Sequence, residues 1–496
     1  MKKKLTALLL VLILLFSSCG ANPEDCNHTD ADDNGICESC EASVLVTVDL
    51  YAINDLHGKF NDSESDIGVD ELTTYLRTMS AIDEHALFLS SGDMWQGTSE
   101  SNMTEGLIIT DWMNELGFAS MTLGNHEYDW GEEPVIKNAA AAEFPILGIN
   151  VYDRETNERV DYCEASTMID LGKIQVGIIG AMGDCYSSIS ADKVEDIYFK
   201  TGDELAELVT EESQRLRLAG ADLIVYSLHD GYGKSSSGIK SVTGTQLSSY
   251  YQSSLSRDGI VDVVFEGHSH QSYVLKDTYG VYHLQGGGDN NGLSHAEINV
   301  NSITGTVSVG VAEYVTESEY KYLDSDELID ELLAKYDDIL APANVILGTN
   351  SAKRNSTYLK NLVARLYYEY GVKKWGEEYD IVIGGGFLSV RSPYELSAGE
   401  VKYSQLGALL PFDNEIQLCS ISGSDLLSRF INTNNSDYCI YPGTASDIDP
   451  NGTYYIVTDS YCSQYAPNRL TVIESFGDDI YARDLVAEYI KEGGLQ

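Results

Sequence analysis

The stretch LVTVDLYAINDLHG, residues 45–58, carries the pattern from which the fold is read. From Leu45 to Ile53 apolar and β-branched residues dominate a run short enough for a single strand, and such runs belong to sheets buried on both faces. The run ends on Asn54-Asp55-Leu56-His57-Gly58, where a carboxylate and an imidazole follow at a turn. The same grammar recurs downstream. Ala86 to Leu89 leads into Gly92-Asp93, Ser120 to Leu123 into Gly124-Asn125-His126-Glu127, Leu223 to Leu228 into His229, and Val261 to Phe265 into Gly267-His268-Ser269-His270. Ile174 to Ile179 is a further run of the same kind. Helical or polar stretches separate these runs, which predicts layered α/β architecture. In open α/β sheets the carboxyl ends of the strands converge on one crevice, so side chains about two hundred residues apart can share a site.

The strand ends collect an unusual set of donors. Asp55, Asp93, Asn125, His57, His229, His268 and His270 offer carboxylates, an amide oxygen and imidazoles, a mixed set suited to two divalent cations such as zinc, manganese, cobalt or iron. Five of the nine histidines, namely His57, His126, His229, His268 and His270, fall in these motifs. One such histidine is ordinarily a surface or core residue; the ordered set is what points to metal. Two cations ~3.5–4 Å apart, bridged by one carboxylate, can clamp a phosphoryl group for in-line attack. Glycines beside Asp93, Asn125 and His268 allow the tight turns that such ligands need.

Taken in order, Asp55-Leu56-His57, Gly92-Asp93, Gly124-Asn125-His126-Glu127, His229 and Gly267-His268-Ser269-His270 resemble the motifs of the calcineurin-like metallophosphoesterases. More narrowly, Asn54 to Gly58, the Gly124-to-Asp129 segment and a second C-terminal domain resemble the 5'-nucleotidase and UDP-sugar hydrolase branch. The resemblance implies an N-terminal four-layer α/β-β/α sandwich over residues 45–320, and a C-terminal α/β 5'-nucleotidase-type substrate-binding domain over 345–496. It implies that Asp55, His57, Asp93 and His270 hold one metal, that Asp93, Asn125, His229 and His268 hold the other, and that Asp93 bridges them. His126 is then a hydrogen-bond donor to the phosphate or leaving oxygen, oriented by Asp129. The implied activity is release of phosphate from nucleotides. Cyclic-nucleotide or UDP-sugar hydrolysis, and a surface lipoprotein that binds ligand without turnover, are the alternatives.

In the second domain the resemblance points to a Gly-rich segment with Arg, and to two rings that sandwich a base. Gly384-Gly385-Gly386 and Leu410-Pro411-Phe412 match parts of this pattern, while Ile383 and Phe387-Leu388 depart from it and Arg391 arrives two residues late. The candidate substrate contacts are Arg354, Arg391, Phe412 and Tyr461, by stacking and by charge. Between the domains, residues 321–344 are expected to form a linker helix: the spacing predicts helix from Asp324 to Leu340, opened by an Asp324/Glu327 capping box, about which the domains could rotate. A second helix through Leu359, Leu362, Val363, Leu366 and Tyr370 is expected to end at Gly371.

A chain of 496 residues that is 43% hydrophobic can bury a large core, so disorder is not the default reading. Its net charge of −47, from 31 basic and 78 acidic residues, excludes a broad nucleic acid-binding surface. Lys2 to Lys4 followed by the apolar run Leu5 to Phe16 read as an export signal, and Ser17-Ser18-Cys19 resembles a lipoprotein cleavage site. Residues 1–19 would be removed up to a lipidated Cys19, leaving a membrane-tethered body outside the cytoplasm. Residues 20–44 form an acidic tether. There Asp30, Asp32, Asn34, Gly35 and Glu41 fit a calcium-loop pattern, Cys26, His28, Cys37 and Cys40 offer a zinc set or a disulfide, and a plain solvated linker fits equally well.

Overall fold

The computed structural model describes residues 28–60, 68–231, 234–235, 238–239, 259–277, 279–387, 390, 395–432, 438–442, 448–465, 469–475 and 480–496. The signal and lipidation readings at residues 1–19, together with Cys26 and Arg391, lie outside these residues.

Two six-stranded sheets face each other in the N-terminal half. The first has the spatial order Val307–Thr316, Gly292–Asn301, Leu45–Ile53, Ala86–Ser90, Ser120–Thr122, Ile146–Leu147. The second runs Ser272–Lys276, Tyr282–Gly286, Val263–Glu266, Leu223–His229, Gln175–Met182, Ser166–Asp170. Neighbours from Leu45–Ile53 to Ile146–Leu147 are parallel, as are Gln175–Met182, Leu223–His229 and Val263–Glu266. Every run read as a strand from sequence is one.

Period-two patterning explains the layering. Val46, Val48 and Leu50 point to one face of the first strand and pack with Val176, Ile178, Val225, Val263 and Phe265 of the other sheet. Tyr51 and Ile53 turn to the opposite face and meet helical residues Leu72, Leu76, Ile108 and Trp112. The outer face of the second sheet is covered by the helix Asp203–Leu218 through Leu205, Val209 and Leu216. Helix, sheet, sheet and helix therefore make the four expected layers. The C-terminal half is built on a five-stranded mixed sheet, Tyr438–Tyr441, Ile381–Phe387, Thr453–Asp459, Ile416–Ser422, Leu470–Ser475, with the helices Ser356–Trp375 and Ala482–Lys491 packed on it.

Two local expectations are corrected. The helix predicted from Asp324 starts at Glu327, and its cap is Asp326, whose carboxylate accepts the Leu328 N–H at 3.0 Å. It runs to Lys335 and is broken at Tyr336 before a short helix, Asp337–Leu340. Leu328, Ile329, Leu332, Tyr336 and Leu340 are buried in the same core as Trp112 and Met113, so this segment is packed on the first domain. Gly371 does not end the second helix, which continues to Trp375. Instead it brings the helix against the sheet: a Cβ at Gly371 would collide with Val457 Cγ2.

That packing yields a test with an unusual sign. Gly-to-Ala in a helix interior ordinarily stabilises by about 0.5–1 kcal/mol, whereas Gly371→Ala is expected to destabilise by about 1–3 kcal/mol through overpacking. Urea unfolding measures it, and a stabilised variant would contradict the close helix–sheet contact.

Candidate metal centre

The site forms where the carboxyl ends of the two sheets meet. Asp55 and His57 leave the strand Leu45–Ile53, Asp93 follows Ala86–Ser90, and Asn125 opens the 3-10 turn Asn125–Tyr128. His229 ends Leu223–His229, and His268 and His270 lie just beyond Val263–Glu266. Asp55, His57, Asp93, His268 and His270 all adopt left-handed backbone conformations, with φ of 51°, 51°, 56°, 69° and 52°. Each costs a non-glycine residue of order 1–3 kcal/mol, so the surroundings must hold them there.

A hydrogen-bonded frame does so. The buried carboxylate of Glu127 accepts backbone N–H groups from Asp93 at 2.9 Å, Met94 at 2.8 Å, Trp95 at 3.3 Å and Gly124 at 2.7 Å. Both oxygens of Asp55 lie 2.9 Å from the His268 N–H, which ties the first sheet to the second. Asn54 donates to Asp55 at 2.6 Å and accepts from the Gly286 N–H at 2.9 Å. The His126 N–H donates to Asp93 Oδ1 at 2.8 Å. Gly92, at φ 91°, leaves room for His229, whose Nδ1 would lie 2.6 Å from any Cβ there.

The proton positions then decide the chemistry. His229 Nδ1 is 2.6 Å from the Ser91 carbonyl, which can only accept, so Nδ1 carries the proton. The other nitrogen, Nε2, faces Asp93 Oδ2 at 3.0 Å and Asn125 Oδ1 at 3.2 Å, a position that takes either a second ring proton or a cation. Asp93 Oδ2 is buried, and the His229 ring is its charge partner. His57 repeats the arrangement: Nδ1 donates to the Gln96 carbonyl at 3.0 Å, and Nε2 meets His270 Nε2 at 3.1 Å. His270 Nε2 is also 3.4 Å from Asp55 Oδ1. The donor atoms of Asp55, His57 and His270 lie within 4.8 Å of one another, as do those of Asp55, Asp93 and His229. Donor atoms crowded this closely need positive charge among them, from ring protons or from cations, and the oxygen and imidazole set fits divalent transition metals.

The same demand for charge is written in the titration of these groups. Burial opposes an imidazolium at His229, but Asp93, Asp55 and Glu127 outweigh it and lift the ring to about 10. His268 is pushed down to about 4 by burial and by the charge of His229, so it stays neutral. Burial raises Asp55. Burial would raise Asp93 too, yet His229 and His126 hold it well below the usual carboxylate range. Cys185 shares a donor cluster with His229 and His268, but its thiol donates to the His229 carbonyl at 2.9 Å and is held well above its ordinary range by burial. It serves as a hydrogen-bond donor.

His126 and Asp129 meet as the motif implied, Nδ1 to Oδ2 at 2.8 Å. The His126 ring lies 5.1 Å from that of His57 and 5.6 Å from that of Phe412. Phe412 is delivered by the second domain, whose Pro411 carbonyl accepts from Gln96 Nε2 at 3.0 Å and Asn102 Nδ2 at 3.3 Å. Arg354 is elsewhere: it lines a separate recess with Lys353, Asn355, Tyr358 and Glu395, its guanidinium 4.4 Å from the Tyr358 ring. Tyr461 sits on the helix Ser460–Tyr465, whose Gln464 donates to the Ile189 carbonyl at 2.9 Å. Sequence reasoning missed Glu127, Gln96 and Asn54 as positioning residues. Glu127 was visible in the motif, but its partners are backbone N–H groups that no sequence pattern announces.

Residues 49–272 match the family model of the calcineurin-like phosphoesterases. They form a calcineurin-like phosphoesterase domain. The chain is accordingly a metal-dependent phosphoester hydrolase, and its homologues and structural neighbours include 5'-nucleotidases. An apyrase from Tabanus yao is 23% identical over 469 residues, which span 86% of this chain and 78% of the apyrase. A 5'-nucleotidase from Vibrio cholerae is 27% identical over 243 residues, 48% of this chain and 42% of that protein. In fold, the 5'-nucleotidase precursor from Thermus thermophilus aligns with 90% of this chain and 96% of its own, with a TM-score of 0.68 at 19% identity. The phosphoesterase domain and its C-terminal companion thus share the two-part fold of that enzyme.

Glu127 gives the test of the frame. Glu127→Gln removes the charge that gathers four N–H groups and turns an amide N–H toward them, so divalent-metal affinity should fall about 10–100-fold, as for other outer partners of metal ligands. Calorimetric titration of the metal-free protein reads this; unchanged affinity would show that the frame does not position Asp93.

Proposed function

We propose that this chain hydrolyses the phosphoester of nucleotides with two divalent cations, outside the cytoplasm. The observation that carries the reading is the buried meeting of His229 Nε2, Asp93 Oδ2 and Asn125 Oδ1 at 3.0–3.2 Å, a position that takes a cation in place of a ring proton, beside a matching set from Asp55, His57 and His270. In this reading Asp55, His57, Asp93 and His270 hold one cation, and Asp93, Asn125, His229 and His268 the other. The pair supplies concentrated positive charge that acidifies water and neutralises phosphoryl oxygens.

The chain's own groups do the rest. Asp129 fixes the His126 Nδ1 proton, which leaves Nε2 to donate from the protonated ring to the leaving oxygen. The left-handed turns and the Glu127 frame keep the donors in place before substrate arrives, so little reorganisation accompanies binding. Phe412, beside His126, is the group best placed to stack on a base whose phosphate sits at the metals. Tyr461 is the second ring in this reading, and Arg391 an anion contact; Arg354, in its separate recess, is set aside from base binding. Export and tethering through a lipidated Cys19 follow from the sequence of the leader. Among the described residues no helix is long and apolar enough to cross a membrane.

A hydrolysis screen over nucleoside monophosphates, cyclic nucleotides, nucleotide sugars and p-nitrophenyl phosphate, with several divalent metals, tests the reading. Monophosphates should be turned over best, and chelation should stop turnover. Asp93→Ala or Asn125→Ala should abolish phosphate release, and retained activity would overturn the metal assignment. His126→Gln should lower kcat by about 10²–10⁴ while metal content is kept. Phe412→Ala should raise KM for a nucleotide and leave p-nitrophenyl phosphate unaffected; equal effects on both would remove Phe412 from nucleoside recognition.

A further inference from the structure

Ahead of the first strand, residues 28–44 fold into a compact loop docked on the hairpin that joins Gly292–Asn301 to Val307–Thr316. Asn301 Nδ2 donates to Asp30 Oδ2 at 2.6 Å and to Asp33 Oδ1 at 2.8 Å, and the Ser302 N–H donates to the Val44 carbonyl at 2.9 Å. Within the loop, Cys37 N–H donates to Ala42, and Glu41 N–H to Cys37, each at 2.8 Å.

Sequence left calcium, a soft metal, a disulfide and a plain linker as rival readings of this segment, and the geometry separates the two metal readings. The oxygens of Asp30 are taken up by the N–H groups of Asn34 at 3.0 Å and Gly35 at 2.8 Å and by the Asn301 amide. Asp32 accepts from the Asn34 side chain at 2.9 Å, and Asn34 Oδ1 accepts from the Ile36 N–H at 2.8 Å. The acidic turn is closed by its own donors and needs no cation to satisfy it.

At the other end of the loop the opposite holds. The donor atoms of His28, Cys37 and Cys40 lie within 4.8 Å of one another, with Cys40 Sγ 3.4 Å from His28 Nδ1. Two ligands of one tetrahedral zinc-like ion, at ~2.3 Å for sulfur and ~2.0 Å for nitrogen, sit about 3.5 Å apart. Backbone N–H groups of Thr29, Ser39 and Cys40 converge on the Cys37 sulfur. Cys37 is fully buried, and both residues are thiols, not a disulfide.

We propose that His28, Cys37 and Cys40 bind a soft tetrahedral divalent cation of the zinc class, in a structural site separate from the strand-tip centre. The ion cross-links the two ends of the loop and holds it closed against residues 301–304, fixing where the chain enters Leu45–Ile53. Three protein ligands leave a fourth position for a further donor.

The full chain, purified under reducing conditions and loaded with Co(II), tests this. The expected result is a thiolate-to-cobalt charge-transfer band that is lost in Cys37→Ser and in Cys40→Ser and kept in Cys185→Ser. Elemental analysis after zinc loading should show the wild type carrying one equivalent more than the Cys37→Ser/Cys40→Ser double variant. Phosphohydrolase turnover of that variant serves as the control that the body still folds. Absence of the band in the wild type, its persistence in the double variant, equal zinc content, or a Cys37–Cys40 disulfide in the isolated protein would each overturn the site.

Discussion

Carboxylate, amide and imidazole donor atoms gathered within about 3 Å of one another at the strand tips are the constraint on which the rest of the molecule turns. His229 gives its Nδ1 proton to the Ser91 carbonyl and turns Nε2 to Asp93, and His57 gives Nδ1 to the Gln96 carbonyl and turns Nε2 to His270. Such a cluster needs positive charge among its members, from ring protons or from cations, so the fold must supply both a rigid frame and a way to keep the donors from relaxing apart. The five left-handed residues show the effort required. The two packed sheets meet it by anchoring each ligand within a few residues of a strand end, and the Asp55–His268 contact locks one sheet's tips to the other's.

The second domain enters the chemistry through a narrow set of contacts. Pro411 is held by Gln96 and Asn102, and the next residue, Phe412, lies beside His126. Gln96 therefore has two tasks, since its carbonyl also fixes the tautomer of His57. Orientation of an imidazole and delivery of an aromatic wall are joined in one residue. The segment Glu327–Leu340, a bare connector by its sequence pattern, is buried in the first domain's core.

Much of this was legible before the structure. The strand runs could be read because β-branched and aliphatic residues cluster where both faces are buried, and the cluster of candidate donors because imidazoles and carboxylates rarely recur at so many run ends. What escaped reading depends on three-dimensional partners. The Glu127 carboxylate gathers backbone N–H groups, Gly371 is a glycine because Val457 is close, and the cap of the helix Glu327–Lys335 is Asp326, two residues beyond Asp324. Arg354 carried the right charge for a substrate contact yet stacks on Tyr358 in another recess. In the tether, calcium and zinc patterns overlapped in sequence, and only the hydrogen bonds of Asp30 distinguish them.

Anomalous X-ray scattering from crystals grown with Mn(II) or Zn(II) tests the central claim most directly. The account predicts two peaks at the strand tips, one within coordinating distance of Asp55, His57 and His270 and one of Asn125, His229 and His268, with Asp93 reaching both. A map with no peak among these residues, or with Asp93 turned away from a bound ion, would contradict it.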